Sequence, residues 1–308
     1  MHKREIQVIG FASCYGARDQ RCDTGPVALK NLQLTTKLEN ANFDVEWSNS
    51  ITPHHKPESN QDTLSVILNN CKELARQTYT AVKANKQIIV IGGDHSCAIG
   101  TWSGVHSALS STLPNTLPNT SQLGLIWIDA HMDSHTMETS DSGAIHGMPV
   151  ASLLGYGDKE LCSIESEAPK ILPENLCLVG IRSYEPAELK LLNQLGVKVF
   201  YMEDIEELGL SKVMQLAQKH VRKNCSRYGV SLDLDAIDPE DAPGVGSPES
   251  HGISGSKLVQ ALKSCNFNDD FIGIEITELN SSRDEVDKTA RLAIEAILAC
   301  LSQQSEKT

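Results

Sequence analysis

Along the chain, short runs of apolar and β-branched residues alternate with longer stretches whose apolar positions recur every three or four residues. The runs predict strands over residues 5–11, 88–91, 123–128, 176–180, 198–201, 229–234 and 271–276, with a weaker one over 44–47. The stretches between them predict helices over 26–40, 62–84, 96–109, 185–195, 211–224, 254–263 and 283–302. Apolar strands that each lead into a helix are the pattern of a parallel sheet covered on both faces, because parallel neighbours need a crossover. The expected class is α/β with about eight strands, in one domain spanning residues 1–308 without a linker. The repeat TLPNTLPNT over 112–120 reads as an exposed loop, since Pro114 and Pro118 block both helix and central strand.

Charge narrows the choice of partner. The 308 residues carry 27 Lys+Arg against 40 Asp+Glu, a formal net charge of −13. Nucleic acid and anionic membranes demand clustered Lys and Arg, so neither is the expected partner, whereas a small cationic substrate suits the balance. No apolar run approaches the length of a membrane span, and the stretch 6–12 is too short and too polar for a secretory signal. The expected location is the cytoplasm. Nine scattered cysteines, an odd number without a C-x-x-C pair, predict neither a disulfide framework nor a thiolate zinc site.

The chemistry gathers at the carboxyl ends of predicted strands, where open α/β sheets bind their ligands. In IVIGGDHSCAIG (89–100) a strand ends in Gly92 and Gly93 and delivers His95 to its tip, although Asp94 or Ser96 capping the next helix accounts for the segment equally well. In IWIDAHMDSH (126–135), Asp129, His131 and Asp133 stand at i, i+2 and i+4, which on an extended chain share one face. In VSLDLDAIDP (230–239), Asp233 and Asp235 repeat that spacing, while Asp238 before Pro239 reads as a turn former. Two imidazoles and four carboxylates without a thiolate suit Mn²⁺ better than Zn²⁺ or copper, and four carboxylates can neutralise two divalent ions. A two-metal hydrolytic centre is the hypothesis these residues support.

The segments GGDHS (92–96), DAHMDSHTMETSDSGAIHGMP (129–149) and SLDLDAIDP (231–239) resemble the three metal-binding motifs of the arginase (ureohydrolase) family, most closely its bacterial arginases. The resemblance runs from GAR…GP at 16–26 to ITELN at 276–280. It implies a three-layer α/β/α fold around a mostly parallel eight-stranded sheet and assembly into trimers or hexamers. By the same resemblance, His95, Asp129, Asp133 and Asp233 would hold one Mn²⁺, and His131 and Asp235 with the shared Asp129 and Asp233 would hold a second. His146 matches a proton-shuttling histidine and Glu278 the glutamate that orients the substrate guanidinium. Ser142 matches a ligand of the substrate α-carboxylate, and Glu185 and Glu188 fall where acidic residues hold the α-ammonium group. His135 and Ala144 replace two asparagines that animal arginases place around the α-carboxylate, and a protonated His135 could pair with it instead. Ser247 matches a threonine near the site, for which a turn hydroxyl is an equal account.

The activity implied is hydrolysis of L-arginine to L-ornithine and urea. The alternatives are a sister ureohydrolase acting on agmatine, formiminoglutamate or another guanidino acid, and a metal-binding scaffold without turnover.

Overall fold

The computed structural model describes residues 3–111, 123–265 and 267–301. The loop expected over 112–120 lies outside them. Eight strands form one sheet: β1 (Arg4–Gly10), β2 (Phe43–Trp47), β3 (Gln87–Ile91), β4 (Leu123–Ile128), β5 (Leu176–Ile181), β6 (Lys198–Tyr201), β7 (Arg227–Asp233) and β8 (Phe271–Thr277). Their order is β2-β1-β3-β8-β7-β4-β5-β6, and every pairing is parallel. Each expected strand is present to within two residues at either end. The weak signal of β2 has a physical origin, because an edge strand alternates between buried and exposed positions whereas β4 is buried at all six.

Alternate residues of the strands feed two separate apolar layers. Ile6, Val8, Ile126 and Ile128 pack with helices Gly25–Asn31, Leu34–Asn40, Leu210–Val221, Gly255–Ser264 and Lys288–Leu301. Ile9, Ile88, Leu125 and Trp127 pack on the opposite face with Asn60–Lys83, Cys97–Ser110 and Pro149–Leu153. The result is a helix–sheet–helix sandwich.

Two helices depart from expectation. The helix expected over 26–40 is broken, because Gln33 adopts a left-handed φ of 60° and starts Leu34–Asn40 on a new axis. The break keeps Leu29, Leu34 and Leu38 all fully buried in one layer. The last helix begins at Lys288 rather than 283: Val286 and Asp287 have positive φ, and the Asp284 carboxylate accepts from the amides of Thr289 and Ala290. Among the described residues no helix is long and apolar enough to cross a membrane, and seven of the nine cysteines, all free, are buried.

The strand order places the site. After β3 the chain skips two positions to reach β4, and β7 and β8 later fill the gap. A crevice opens at the carboxyl ends of such strands, where successive connections diverge.

Candidate active site

The loop after β3 is stitched to its neighbours by backbone bonds. Gly92 N donates to Ile276 O (2.7 Å), Asp94 N to Ser13 O (3.2 Å) and Glu278 N to Gly93 O (2.7 Å). Gly93 runs so close to Ser13 that a Cβ on it would stand 1.9 Å from the Ser13 carbonyl oxygen. The Asp94 carboxylate accepts from Gly16 N and Ser96 N, both at 2.9 Å, and the Ser96 side chain makes no cap bond. Asp94 therefore shapes the turn, and the His95 side chain is free to face the crevice.

His95 Nδ1 lies 3.2 Å from Asp129 Oδ2, 3.1 Å from Asp133 Oδ2 and 3.0 Å from Asp233 Oδ2. His131 Nδ1 lies 3.5 Å from Asp129 Oδ1 and 3.2 Å from Asp235 Oδ2. The six residues expected to share a centre are thus brought together, with Asp129 common to both imidazoles. The pleated, one-face arrangement expected for them is wrong. β4 ends at Ile128, and the chain beyond it curls, with Asp133 at a left-handed φ of 48°. Asp233 closes β7, and Asp235 sits in the 3-10 turn Leu234–Ala236. Local carboxylate bonds drive both curls: Asp129 Oδ1 accepts from His131 N (2.7 Å) and Asp233 Oδ1 from Asp235 N (2.9 Å). Asp238 forms a turn as expected, accepting from Glu240 N and Gly252 N.

A polar chain beneath His95 fixes its ring. Glu275, wholly buried in β8, accepts from Trp102 Nε1 (3.1 Å) and from Ser231 Oγ (2.7 Å). Having given its proton to Glu275, the Ser231 hydroxyl accepts from His95 Nε2 (2.9 Å). Trp127 stacks on the imidazole at 4.0 Å and donates Nε1–H to Asp129 Oδ2 (2.9 Å). In the neutral imidazole this tautomer turns the Nδ1 lone pair toward three carboxylates. None of Ser231, Glu275 or Trp102 was anticipated, although a charge inside the apolar run FIGIEIT is a legible anomaly.

The electrostatics follow from packing so many anions out of water. Burial, then the neighbouring Asp129 charge, pushes the Asp133 carboxyl up to about 7, and burial raises Asp235 to about 6. Burial together with Asp235 and Asp129 raises Asp233 strongly. Burial opposes ionisation of Asp129 too, but the adjacent His131 and His95 imidazoles prevail and hold it below the carboxylate range. Burial likewise opposes charge on His95 and His131, and their aspartates outweigh it and raise both.

These residues fit a metal. His95 Nδ1 is buried without a hydrogen bond while three carboxylate oxygens surround it, an arrangement that calls for a cation. Among the described residues, two groups have ligand atoms close enough to share an ion, His95 with Asp129 and Asp233, and Asp129 with His131 and Asp235. An all-oxygen-and-imidazole donor set suits a hard divalent ion.

Beside the cluster, Glu278 is buried at a left-handed φ of 65°. Its carboxylate receives His146 Nδ1 (3.0 Å), His95 N (3.1 Å) and the Cys22 thiol (3.3 Å). Burial opposes charge on His146, but Glu278 overcomes it and raises the imidazole to about 9. A cavity of about 430 Å³ opens over the cluster, lined by its His131, Asp133, Asp233 and Asp235 and by His135, Ser142, His146, Glu185, Glu188 and Ser247 from the expected set. Ala144 lines it as well, and Ser142 Oγ accepts from Ala144 N (3.1 Å). Glu188 is tied down by Ser134 N (3.1 Å) and by Glu185 N (2.9 Å), the latter within the cap of helix Pro186–Leu195. His135 Nε2 stands between the two acids, 3.5 Å from Glu185 and 3.4 Å from Glu188. Arg18, Asp141, Tyr184 and Glu249 also line the cavity, and no sequence signal singled them out.

Carboxylates and imidazoles poised for metal at the carboxyl edge of a parallel sheet, under a polar cavity, define a metal-dependent hydrolase of the α/β class. The comparisons with known proteins are specific about which one. The Arginase family model matches residues 4–302. The arginase of Brevibacillus brevis is 36% identical over 295 residues, 94% of this chain and 95% of that protein. The crystal structure of Bacillus subtilis arginase superposes with a TM-score of 0.87 at 35% identity, covering 98% of this chain and 100% of that one. Entamoeba histolytica arginase in complex with L-ornithine gives 0.87 at 29% identity, covering 98% and 99%. The chain belongs to the arginase family, metal-dependent hydrolases that act on guanidino C–N bonds.

Proposed function

We propose that this protein hydrolyses L-arginine to L-ornithine and urea with two Mn²⁺ ions per subunit. The observation that carries the reading is His95 Nδ1 facing three carboxylates, with the His146–Glu278 pair beside it. His95, Asp129, Asp133 and Asp233 would hold one ion, and His131, Asp129, Asp233 and Asp235 the other. The chemistry that two bound ions would supply is a water of lowered pKa, available as hydroxide near neutral pH. The Asp133 carboxylate would accept a hydrogen bond from the attacking water and aim it at the guanidinium carbon. Glu278 orients the guanidinium and fixes His146, which donates a proton to the departing amine. Ser142, His135, Glu185, Glu188 and Ser247 hold the amino-acid end of the substrate in the cavity. The L-ornithine bound to the Entamoeba histolytica relative supports this choice of substrate.

One observation favours a second reading. His135 already pairs with Glu185 and Glu188, the acids assigned to the α-ammonium group, and so a guanidino acid lacking that group fits the cavity as well. The test is urea release by the Mn²⁺-loaded protein from L-arginine, agmatine and 4-guanidinobutyrate in parallel, with formamide followed from formiminoglutamate. Turnover of arginine alone supports the first reading, and turnover of another compound alone moves the protein to a sister ureohydrolase. Silence on all four, with two ions bound, leaves a non-catalytic scaffold. We place the enzyme in the cytoplasm as a homo-oligomer, trimer or hexamer, which sedimentation velocity measures directly. Its nine free cysteines agree with a reducing compartment.

A further inference from the structure

The two imidazoles of the cluster are backed differently. Behind His95 stand Ser231 and Glu275, both fully buried. Behind His131 stand a second serine and a second glutamate, at the rim of the cavity. Glu249 Oε1 lies 3.6 Å from His131 Nε2 and accepts from Ser183 Oγ at 3.3 Å. His131 Nδ1 is the nitrogen that faces Asp129 and Asp235, so the proton of its neutral ring falls on Nε2, toward Glu249.

The surrounding backbone holds this pairing in place. Ser183 is bridged to His131 across the ends of β4 and β5, with Ser183 N and Arg182 N both donating to Ala130 O. The Arg182 guanidinium spends its donors on backbone carbonyls: Glu249 O and Asp235 O at 2.8 Å, and Ser250 O and Ala236 O at 3.1 Å. One side chain thus ties the loop that carries Glu249 to the turn that carries Asp235.

We infer that Glu249 is a positioning residue for the second ion, fixing the tautomer and orientation of His131 from outside the ligand set. Outer carboxylates of this kind raise the basicity of a ligating imidazole, and losing one costs about 10- to 100-fold in metal affinity. The Glu249 side chain is 39% exposed and the His131 ring 27%, against 1% for the His95 ring.

The inference rests on the two-ion reading, and the experiment separates the two. Chelator-stripped wild type, Glu249→Ala, Glu249→Gln and Ser183→Ala are titrated with MnCl₂ by calorimetry, with EPR spectra at each step. The expected result is two steps in wild type, one of which loses affinity by about 10- to 100-fold in Glu249→Ala while the other is unchanged. Glu249→Gln, which keeps an acceptor, and Ser183→Ala, which only loosens the carboxylate, fall between. At one equivalent beyond the first step, the exchange-coupled spectrum of the wild-type pair gives way in Glu249→Ala to that of an isolated ion. Two unaltered steps in Glu249→Ala overturn the inference, and a raised KM alongside them would make Glu249 a substrate contact. Equal weakening of both steps also overturns it, since that marks general damage to the site. A wild type that takes up only one ion refutes the two-ion reading itself and Glu249's assignment with it.

Discussion

Replacing Glu278 by glutamine isolates the charge that governs His146. The carboxylate lies 3.0 Å from His146 Nδ1 and raises that imidazole from 6.5 to about 9 in spite of its burial. A folded pKa above the unfolded one means that the pair stabilises the fold fully below about pH 6.5 and ceases to do so as pH rises through 9. At about 1.4 kcal/mol per unit, the rise corresponds to about 3 kcal/mol, most of it due to Glu278, which leads the groups that raise His146. Glutamine keeps the shape and removes the charge. His146 then keeps only its burial penalty and the weaker pull of Asp94 and Asp133, so it titrates far below 9. The assay is urea unfolding of metal-free wild type and Glu278→Gln between pH 6 and 10. The gap between the two should shrink by about 3 kcal/mol across that range. The bonds from His95 N and Cys22 to the same carboxylate add an offset independent of His146, and the common titration of other groups cancels in the difference. A gap that stays constant from pH 6 to 10, or an NMR titration of His146 near 6.5 in wild type, would refute the reasoning.

Gly93→Ala drives a methyl group to within 1.9 Å of the Ser13 carbonyl, and should cost about 3 kcal/mol by urea unfolding and weaken Mn²⁺ uptake by displacing His95; a variant as stable as wild type would show that the loop yields. Asp133 at about 7 and Asp235 at about 6 carry protons below those values in the metal-free protein, so metal must displace them. Mn²⁺ affinity should therefore rise steeply from pH 5.5 to 8, by about tenfold per unit for each group still protonated, and a flat calorimetric profile would contradict this. Asp133→Asn should lower kcat by about 10²- to 10⁴-fold with little change in KM, and near-normal kcat with two ions bound would remove Asp133 from the reaction.

The strands were legible because an interior parallel strand must be apolar on both faces, and β4, β5, β7 and β8 are buried along all or nearly all of their length. The break at Gln33 was not, because leucines at 29, 34 and 38 look much the same on one helix as on two. The residues proposed to hold metal stood out as charge at the ends of apolar runs. Their geometry did not, since backbone bonds to Asp129 and Asp233 replace the pleat that spacing alone suggests. Glu275 could have been found as a lone acid within FIGIEIT, whereas Glu249 lies in a polar loop where its meaning comes only from Ser183, Arg182 and His131 around it.

The stack of Trp127 on His95 also gives the protein an optical reporter of its own. Of three tryptophans, Trp127 touches His95 and Asp129 directly and Trp102 reaches His95 through Glu275 and Ser231, which leaves Trp47 on an edge strand as an internal reference. A paramagnetic ion held by His95 and Asp129 would quench Trp127 emission more than a diamagnetic one such as Mg²⁺. Occupancy, exchange and the magnetic character of the bound ion can therefore be followed in real time by intrinsic fluorescence, without a label or a chromogenic substrate.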